Sequence, residues 1–503
     1  MRVYAPNVNR RCAGVAAVSV VSTLQPAAVA RGAVTSTPAA PAPPALDRRT
    51  RLLLEGPIVR TLLRLAAPNL ILLLAQSSIG LIEAYWVGRL GTDALAGVAL
   101  VFPALMLMQM MSAGAMGGGI SSAVARAIGA KRHADANALV IHAVVIAAGL
   151  GLLFSAAVLI GGRRLYIIMG GDGGVLAVAL TYSNTLFAGI ALLWILNALA
   201  SVLRGTGNMA LPAIVTAAGA ALVIPLSPLL IFGWGPFPRL GVAGGAIAVL
   251  LYYAGAIPFL VRAIWSGRNV LRPSLRGTRL QSKLLYEILR VGLVAAAITV
   301  TTNVTVALTT GIVALAGPQA IAGYGIGSRL EYLLIPLAFS IGAPLVAMVG
   351  TCIGAGDRSR ALRAAWLGAA VAGAVAEVIG ILAALHPSGW MTFFSTDAEV
   401  IAYGSQYLRI VGPFYGFFGV GMVLYFASQG AGRLAWPLLA GILRLTVAGA
   451  GGWTAYHFTQ NLSFVFTALA VALTVFGLVV AGAVALGSWG GRANTSSPKG
   501  RVT

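Results

Sequence analysis

Twelve apolar stretches follow one another along the chain, at 62–86, 95–122, 137–161, 174–201, 209–232, 240–265, 288–316, 328–353, 362–385, 400–428, 435–457 and 462–488. Each is long enough to cross a bilayer, because ~20 apolar residues wound as a helix span the hydrocarbon core. Glycine and proline interrupt the runs without turning them into short alternating strands, so helices rather than a barrel are predicted. The pattern therefore predicts an all-α polytopic membrane protein with twelve transmembrane helices.

Composition agrees. Only 9% of residues are charged and 59% are hydrophobic, with a mean hydropathy of +0.90, whereas a soluble domain carries about 25% charged residues. The formal charge of +22 would suggest nucleic acid in a soluble protein, but the basic residues fall mostly in the tails and in alternate loops. The run "VRAIWSGRNVLRPSLRGTRLQSK" at 261–283 is the largest group, while Arg89, Arg163, Arg164 and Arg239 occupy the loops of the other side. The positive-inside rule then puts both termini in the cytoplasm of a multi-pass inner-membrane protein, with no nucleic-acid partner. Residues 1–60 form a basic tail without an acidic residue before Asp47. A signal peptide, a transit peptide, or a disordered cytoplasmic tail or overlong start each fits its composition, and the last is preferred. Cys12 and Cys352 lie far apart, and His133, His142, His386 and His457 are scattered. Neither a disulfide framework nor a metal site is implied.

The two halves repeat one another. "LGTDALAG" (90–97) matches "AGPQAIAG" (316–323), "IGAKRHADA" (128–136) matches "IGAGDRSRA" (353–361), and "LRGTGNMALP" (203–212) matches "SQGAGRLAWP" (428–437), at offsets of 226, 225 and 225 residues. An ancient duplication of six helices follows. Six spans per unit make the units parallel, related by a pseudo-twofold axis along the membrane normal with a cavity between them. The expected organisation is a first lobe over 61–265, a basic linker over 266–287, a second lobe over 288–490 and a disordered tail over 491–503. That architecture is a transporter's.

"LAAPNLILLLAQSSIGLIEAYWVGRLGTDALAGVAL", "SAGAMGGGISSAVARAIGA", "LRGTGNMALPAI", "GVAGGAIAV" and "GIGSRLEYLLIPLAFSIGAPLVAMVGTCIGAGDRSRA", in that order, resemble the multidrug and toxic compound extrusion (MATE) family over residues 60–485. The resemblance implies two six-helix lobes. It also implies a coupling-ion ligand on the first helix, where the family's aspartate is matched by Glu83. The family's "N-x-x-L-D-P" on the fifth helix is replaced by "VIPLSP" at 223–228, so Val223 and Ser227 stand in its ligand positions, and the seventh helix offers Thr301, Thr302 and Asn303 in place of a glutamate.

Carboxylates inside a bilayer cost about 2.5–3.5 kcal/mol on insertion scales and therefore default to functional candidates. Glu83 and Glu377 are the two such groups and the expected ion-coupling residues. Glu83 either takes up H+ or Na+ on one side and releases it on the other, or forms a structural ion pair with Arg89. Glu377 either titrates or is tied to a neighbouring helix by hydrogen bonds. Glu331 with Arg329 reads as an interface pair. Gln76, Trp86, Trp194, Asn197, Asn303, Gln406, Tyr415, Phe418 and Tyr425 are the candidate substrate-cavity residues, by apolar contact and cation–π attraction; each alone is as compatible with a lipid-facing position. The glycine-rich "GAMGGG" at 114–119 lacks a phosphate-loop lysine and fits close helix packing or a hinge. "LRGTGN" and "SQGAGR" read as helix-ending turns.

The expected function is a monomeric secondary antiporter, without cofactor and not an enzyme. It would export amphipathic, cationic small organic molecules in exchange for H+ or Na+. A flippase for lipid-linked or polysaccharide precursors is the alternative. A lipid-modifying enzyme lacks a catalytic grouping in the spans, and a scaffold would leave Glu83 and Glu377 idle.

Overall fold

A computed structural model describes residues 47–266, 270–274 and 279–490, except the side chains of 72–79 and 81. The tails expected over 1–46 and 491–503 lie outside the described residues, whereas Arg48–Glu55, expected as part of the disordered tail, is helical. The spans, numbered in chain order, are α1 (Ile58–Gly88), α2 (Thr92–Gly129), α3 (His133–Ile168), α4 (Gly173–Ala188 and Ala191–Gly205), α5 (Ala210–Phe232), α6 (Val242–Trp265), α7 (Ser282–Ala314), α8 (Pro318–Gly354), α9 (Arg358–Leu385), α10 (Ala398–Ala431), α11 (Ala435–Thr459) and α12 (Leu462–Ala485). Every apolar stretch of the sequence lies on one of them. Several helices outrun their apolar core: α2 has 38 residues, about 57 Å at ~1.5 Å per residue, so its ends project beyond the hydrocarbon.

Four spans are irregular, and two of the irregularities come in related places. The segment Met110–Met116 of α2 and the segment Val447–Gly451 of α11 are π-helical, α4 bends by 47° after Ala188, and α10 tightens to a 3-10 turn at Gly412–Phe414, where Pro413 cannot donate a backbone hydrogen bond. The α4 and α10 breaks sit at matching positions of the repeat. The hinge expected at "GAMGGG" therefore overlaps a π segment, whose displaced carbonyls need partners. Gln429 of α10 supplies them: its Nε2 donates to the carbonyls of Gly114 at 3.3 Å and Ala115 at 3.2 Å.

Apolar side chains form two large clusters. One unites α2 to α6 (Leu139, Phe187, Trp194, Leu260) and takes in Leu284 and Ile288 from the start of α7. The other unites α8 to α12 (Leu345, Tyr407, Phe466, Val480) and takes in Leu62 and Ala66 from the start of α1. Each lobe's first helix thus begins against the other lobe and ends in its own. A short helix, Arg48–Glu55, precedes α1 and is held by Arg360 at the start of α9, which donates to the carbonyls of Leu53 (3.0 Å) and Gly56.

On the side that carries this short helix, called here the basic side, the lobes are sealed by reciprocal glycine contacts. A Cβ on Gly129 would stand 2.1 Å from the carbonyl oxygen of Thr351, and one on Gly354 would stand 2.2 Å from that of Arg126. Gly354 is the repeat counterpart of Gly129, and Thr351 that of Arg126. Such an exchange of partners is what a twofold axis between α2 and α8 produces. Ser122 donates to the carbonyls of Gln429 at 2.5 Å and Gly430 at 3.0 Å, and Arg290 to that of Gly432 at 3.0 Å. Small residues let the backbones approach, and hydrogen bonds to freed carbonyls then hold the seal.

Candidate ion-coupling site

Glu83 lies five residues before the end of α1, about 8 Å along the axis from its terminus. It is 9% exposed. The Tyr182 hydroxyl of α4 donates to its Oε1 at 2.5 Å. A Cβ on Gly245 of α6 would stand 3.2 Å from that oxygen and 3.8 Å from Ser227 Oγ of α5. Ser227 is buried and its hydroxyl has no hydrogen-bond partner. Glycine at 245 therefore leaves room beside the carboxylate, and Ser227, which the sequence marked only as a departure from the family pattern, borders that room. Four helices converge on one carboxyl group.

Among the described residues no cation pairs with Glu83. Arg89 does not: its guanidinium lies over the rings of Tyr85 at 5.3 Å and Trp86 at 5.8 Å. The structural ion pair open in the sequence is thus replaced by stacking, because Arg89 beyond the helix end finds aromatic faces nearer than the buried carboxylate. Trp86, Phe232 and Trp234 cluster at 5.6–6.1 Å at this end of α1 and α5.

The second lobe holds a different arrangement. Glu331 of α8 accepts from Arg444 of α11 at 2.8 Å and from the Tyr407 hydroxyl of α10 at 3.1 Å. The Arg444 side chain is 7% exposed and lies over Phe418 at 5.1 Å and Phe476 at 5.9 Å. The interface pair expected for Glu331 exists, but its partner is Arg444; Arg329 stacks over Phe394 at 5.4 Å instead. Arg444 was discoverable as an arginine in the middle of an apolar span. Glu377 of α9 accepts from the backbone N–H of Gly416 at 2.7 Å. That N–H opens the second half of α10, just past the 3-10 turn, where a carboxylate replaces the missing intrahelical acceptor and faces the positive end of the helix dipole.

The substrate candidates do not gather around one cavity. Trp194 is buried in the first cluster and stacks on Phe154 at 5.4 Å. Asn197 donates to Ser112 Oγ at 3.0 Å, tying α4 to the π segment of α2. Tyr415 and Phe418 are fully buried in the second cluster, and Tyr425 packs with Phe426 between the lobes. Asn303 is exposed and donates to the Thr299 carbonyl of its own helix at 2.8 Å, and Thr301 and Thr302 likewise bond Ile298. Gln406 donates to Ser463 Oγ at 2.6 Å and borders an open surface depression with Arg409. Gln76 lies on α1, but its side chain is outside the described residues. Among the described residues no three His, Cys, Asp or Glu side chains cluster as metal ligands.

Twelve apolar helices in two six-helix lobes are the build of a polytopic membrane protein. The MatE family model matches residues 68–229 and 295–453, one match per lobe. A FAD transporter of Shewanella oneidensis is 28% identical over 384 residues, 75% of this chain and 82% of that one. A probable multidrug resistance protein of Thermotoga maritima is 26% identical over 397 residues, 78% and 85% of the two chains. A solved MOP superfamily transporter from Pyrococcus furiosus has the same fold, with a TM-score of 0.80 at 24% identity over 88% of this chain and 99% of that one. The chain belongs to the MATE family of membrane transporters, and like its members it is not an enzyme.

Proposed function

We propose that the chain is an antiporter that exports amphipathic small organic molecules in exchange for inward H+ or Na+, with Glu83 as the coupling group. Both termini then lie in the cytoplasm, so the sealed basic side faces inward. One chain is taken as the working unit, because both lobes come from it. The observation that carries the reading is the isolation of Glu83, a carboxylate without a cation whose one hydrogen bond, among the described residues, comes from Tyr182. A group held this way can change occupancy at modest cost, whereas a paired one cannot.

The proton is the better fit of the two ions. Among the described residues the carboxylate and the hydroxyls of Tyr182 and Ser227 are the side-chain oxygens at hand, and a bare cation needs about six ligands. A coupling ion shifts the two orientations of the lobes only by binding one better than the other. One charge moving through about 150 mV supplies about 3.5 kcal/mol, enough for a gradient of a few hundredfold in a neutral substrate. Relatives named as a FAD transporter and a multidrug resistance protein support organic substrates of some size.

The reading is tested in everted vesicles with a fluorescent substrate and an imposed pH or sodium gradient. Glu83→Gln is expected to abolish gradient-driven uptake while leaving the folded protein in the membrane. Undiminished uptake by the variant overturns it.

A further inference from the structure

Between the lobes, just above the basic-side seal, lies a small cavity of about 10 Å³ lined by Gly114, Gly118, Ser121, Arg204, Phe339, Ala343, Val346 and Gln429 among others. These residues are repeat pairs at an offset of 225: Gly114 with Phe339, Gly118 with Ala343, Ser121 with Val346, and Arg204 with Gln429. The cavity therefore sits on the pseudo-twofold axis, where one ligand meets both lobes at once. Both turn motifs end their helices as expected, with Gly207 and its counterpart Gly432 at φ of 80° and 71°. Arg204 and Gln429, three residues earlier, point inward to the axis.

Arg204 is 5% exposed. Among the described residues no carboxylate lies within ion-pair distance, and Ser201 Oγ, at 2.6 Å, is its hydrogen-bond acceptor. Burying an uncompensated guanidinium is costly. The fold does not demand the charge, because the neutral Gln429 occupies the same place in the other lobe. The hydroxyl of Ser121, 3% exposed, and Oε1 of Gln429, fully buried, line the same cavity without hydrogen-bond partners. On the basic side of the seal, Arg126 and Arg132 share Glu287 at 3.5 and 3.6 Å, Arg132 also pairs with Asp135 at 2.7 Å, and Arg290 stands beside them on Gly432. Parting the lobes there would open a mouth with more positive than negative charge, which steers anions.

We propose that Arg204 is the anion-binding subsite for the exported molecule. A carboxylate or phosphate on the substrate docks on its guanidinium and on the Ser121 hydroxyl when the lobes part on the basic side. A guanidinium matches such oxyanions in a two-pronged geometry. In the sealed state the cavity has room for about one water, so closing the lobes expels the anionic group toward the other side. The inference rests on the reading of the chain as an exporter and names the charge of what it exports. Substrates carry an anionic group, zwitterions included, and a purely cationic molecule is a poor one.

The test is direct binding to the purified full chain of a zwitterionic xanthene dye with a free carboxylate and of the same dye as its cationic methyl ester. The wild type is expected to bind the acid about tenfold or more tightly than the ester, the worth of a charged hydrogen-bonded contact. Arg204→Gln erases the difference by weakening the acid alone, and Arg204→Lys keeps part of it. Should Arg204→Gln fail to fold, Gln429→Glu leaves the guanidinium in place with a permanent partner and is expected to erase the same difference. Equal binding of acid and ester by the wild type, or equal weakening of both dyes in a folded variant, overturns the proposal. So does a preference for the acid that persists undiminished in a folded Arg204→Gln variant, which places the anion elsewhere. An intact preference for the acid with no gradient-driven uptake of either dye would sink the antiport reading while leaving this one standing.

Discussion

Tyr182 in the first lobe and Tyr407 in the second are repeat counterparts, 225 residues apart, and each donates its hydroxyl to a glutamate. The glutamates are not counterparts. Glu83 arrives from α1 and has no cation among the described residues, whereas Glu331 arrives from α8 and is clamped by Arg444. The duplicated tyrosine thus serves two ends: in one lobe it steadies a charge that is free to change, in the other it completes a charge pair that is fixed. A largely buried pair with hydrogen bonds holds helices α8, α10 and α11 together, and on the proposed antiport reading the lone carboxylate among α1, α4, α5 and α6 acts as the switch. Asymmetry between lobes, rather than the repeat itself, is what the proposed coupling role of Glu83 rests on.

Breaking the fixed pair has the largest expected effect. Arg444→Met leaves the half-buried Glu331 without its cation, held by the Tyr407 hydroxyl alone, and is expected to destabilise the protein by ~3 kcal/mol, seen as a large fall in Tm of the purified chain. Adding Glu331→Gln should recover most of that loss. If the single variant is as stable as the wild type, the second lobe's pair is not structural.

The corresponding change in the first lobe should behave in the opposite way. Tyr182→Phe removes the hydrogen bond to Glu83 and is expected to slow gradient-driven transport severalfold, with a fall in Tm smaller than that of Arg444→Met. Tyr407→Phe leaves Glu331 its arginine, so transport should stay near wild type and stability should fall by about 1 kcal/mol. Equal transport defects in the two variants would erase the contrast.

The smallest effect is expected at Glu377. Glu377→Gln keeps an acceptor for the Gly416 N–H and should change stability by less than about 1 kcal/mol, a charge–dipole loss, with transport retained in the same vesicles. A loss of coupled uptake as deep as that of Glu83→Gln would make Glu377 a second coupling group.

Much of this was legible in the sequence. Twelve apolar runs became twelve helices, because a chain in lipid has few ways to satisfy its backbone. The motif pairs at 128 and 353 and at 203 and 428 became the contacts on the pseudo-twofold axis, because residues near such an axis meet their own counterparts' partners. Glu83 stood out by its cost. What surrounds it did not: Tyr182, Ser227 and Gly245 come from three other helices, and their convergence depends on rotations that hydropathy does not encode. The aromatic candidates were misplaced for a related reason, since Trp194, Tyr415 and Phe418 fill lobe interiors where large rings pack well. Arg204 was read as part of a turn, which it is, but its direction toward the axis needed the fold.

The central claim is that Glu83 alone changes occupancy during transport. Infrared difference spectroscopy of the purified full chain on addition of substrate tests it directly. One carboxyl signal is expected to change, to be absent in Glu83→Gln, and to persist in Glu377→Gln and in the Glu331→Gln, Arg444→Met double variant. A signal that survives in Glu83→Gln, or that disappears with Glu377 or Glu331 instead, would contradict the account.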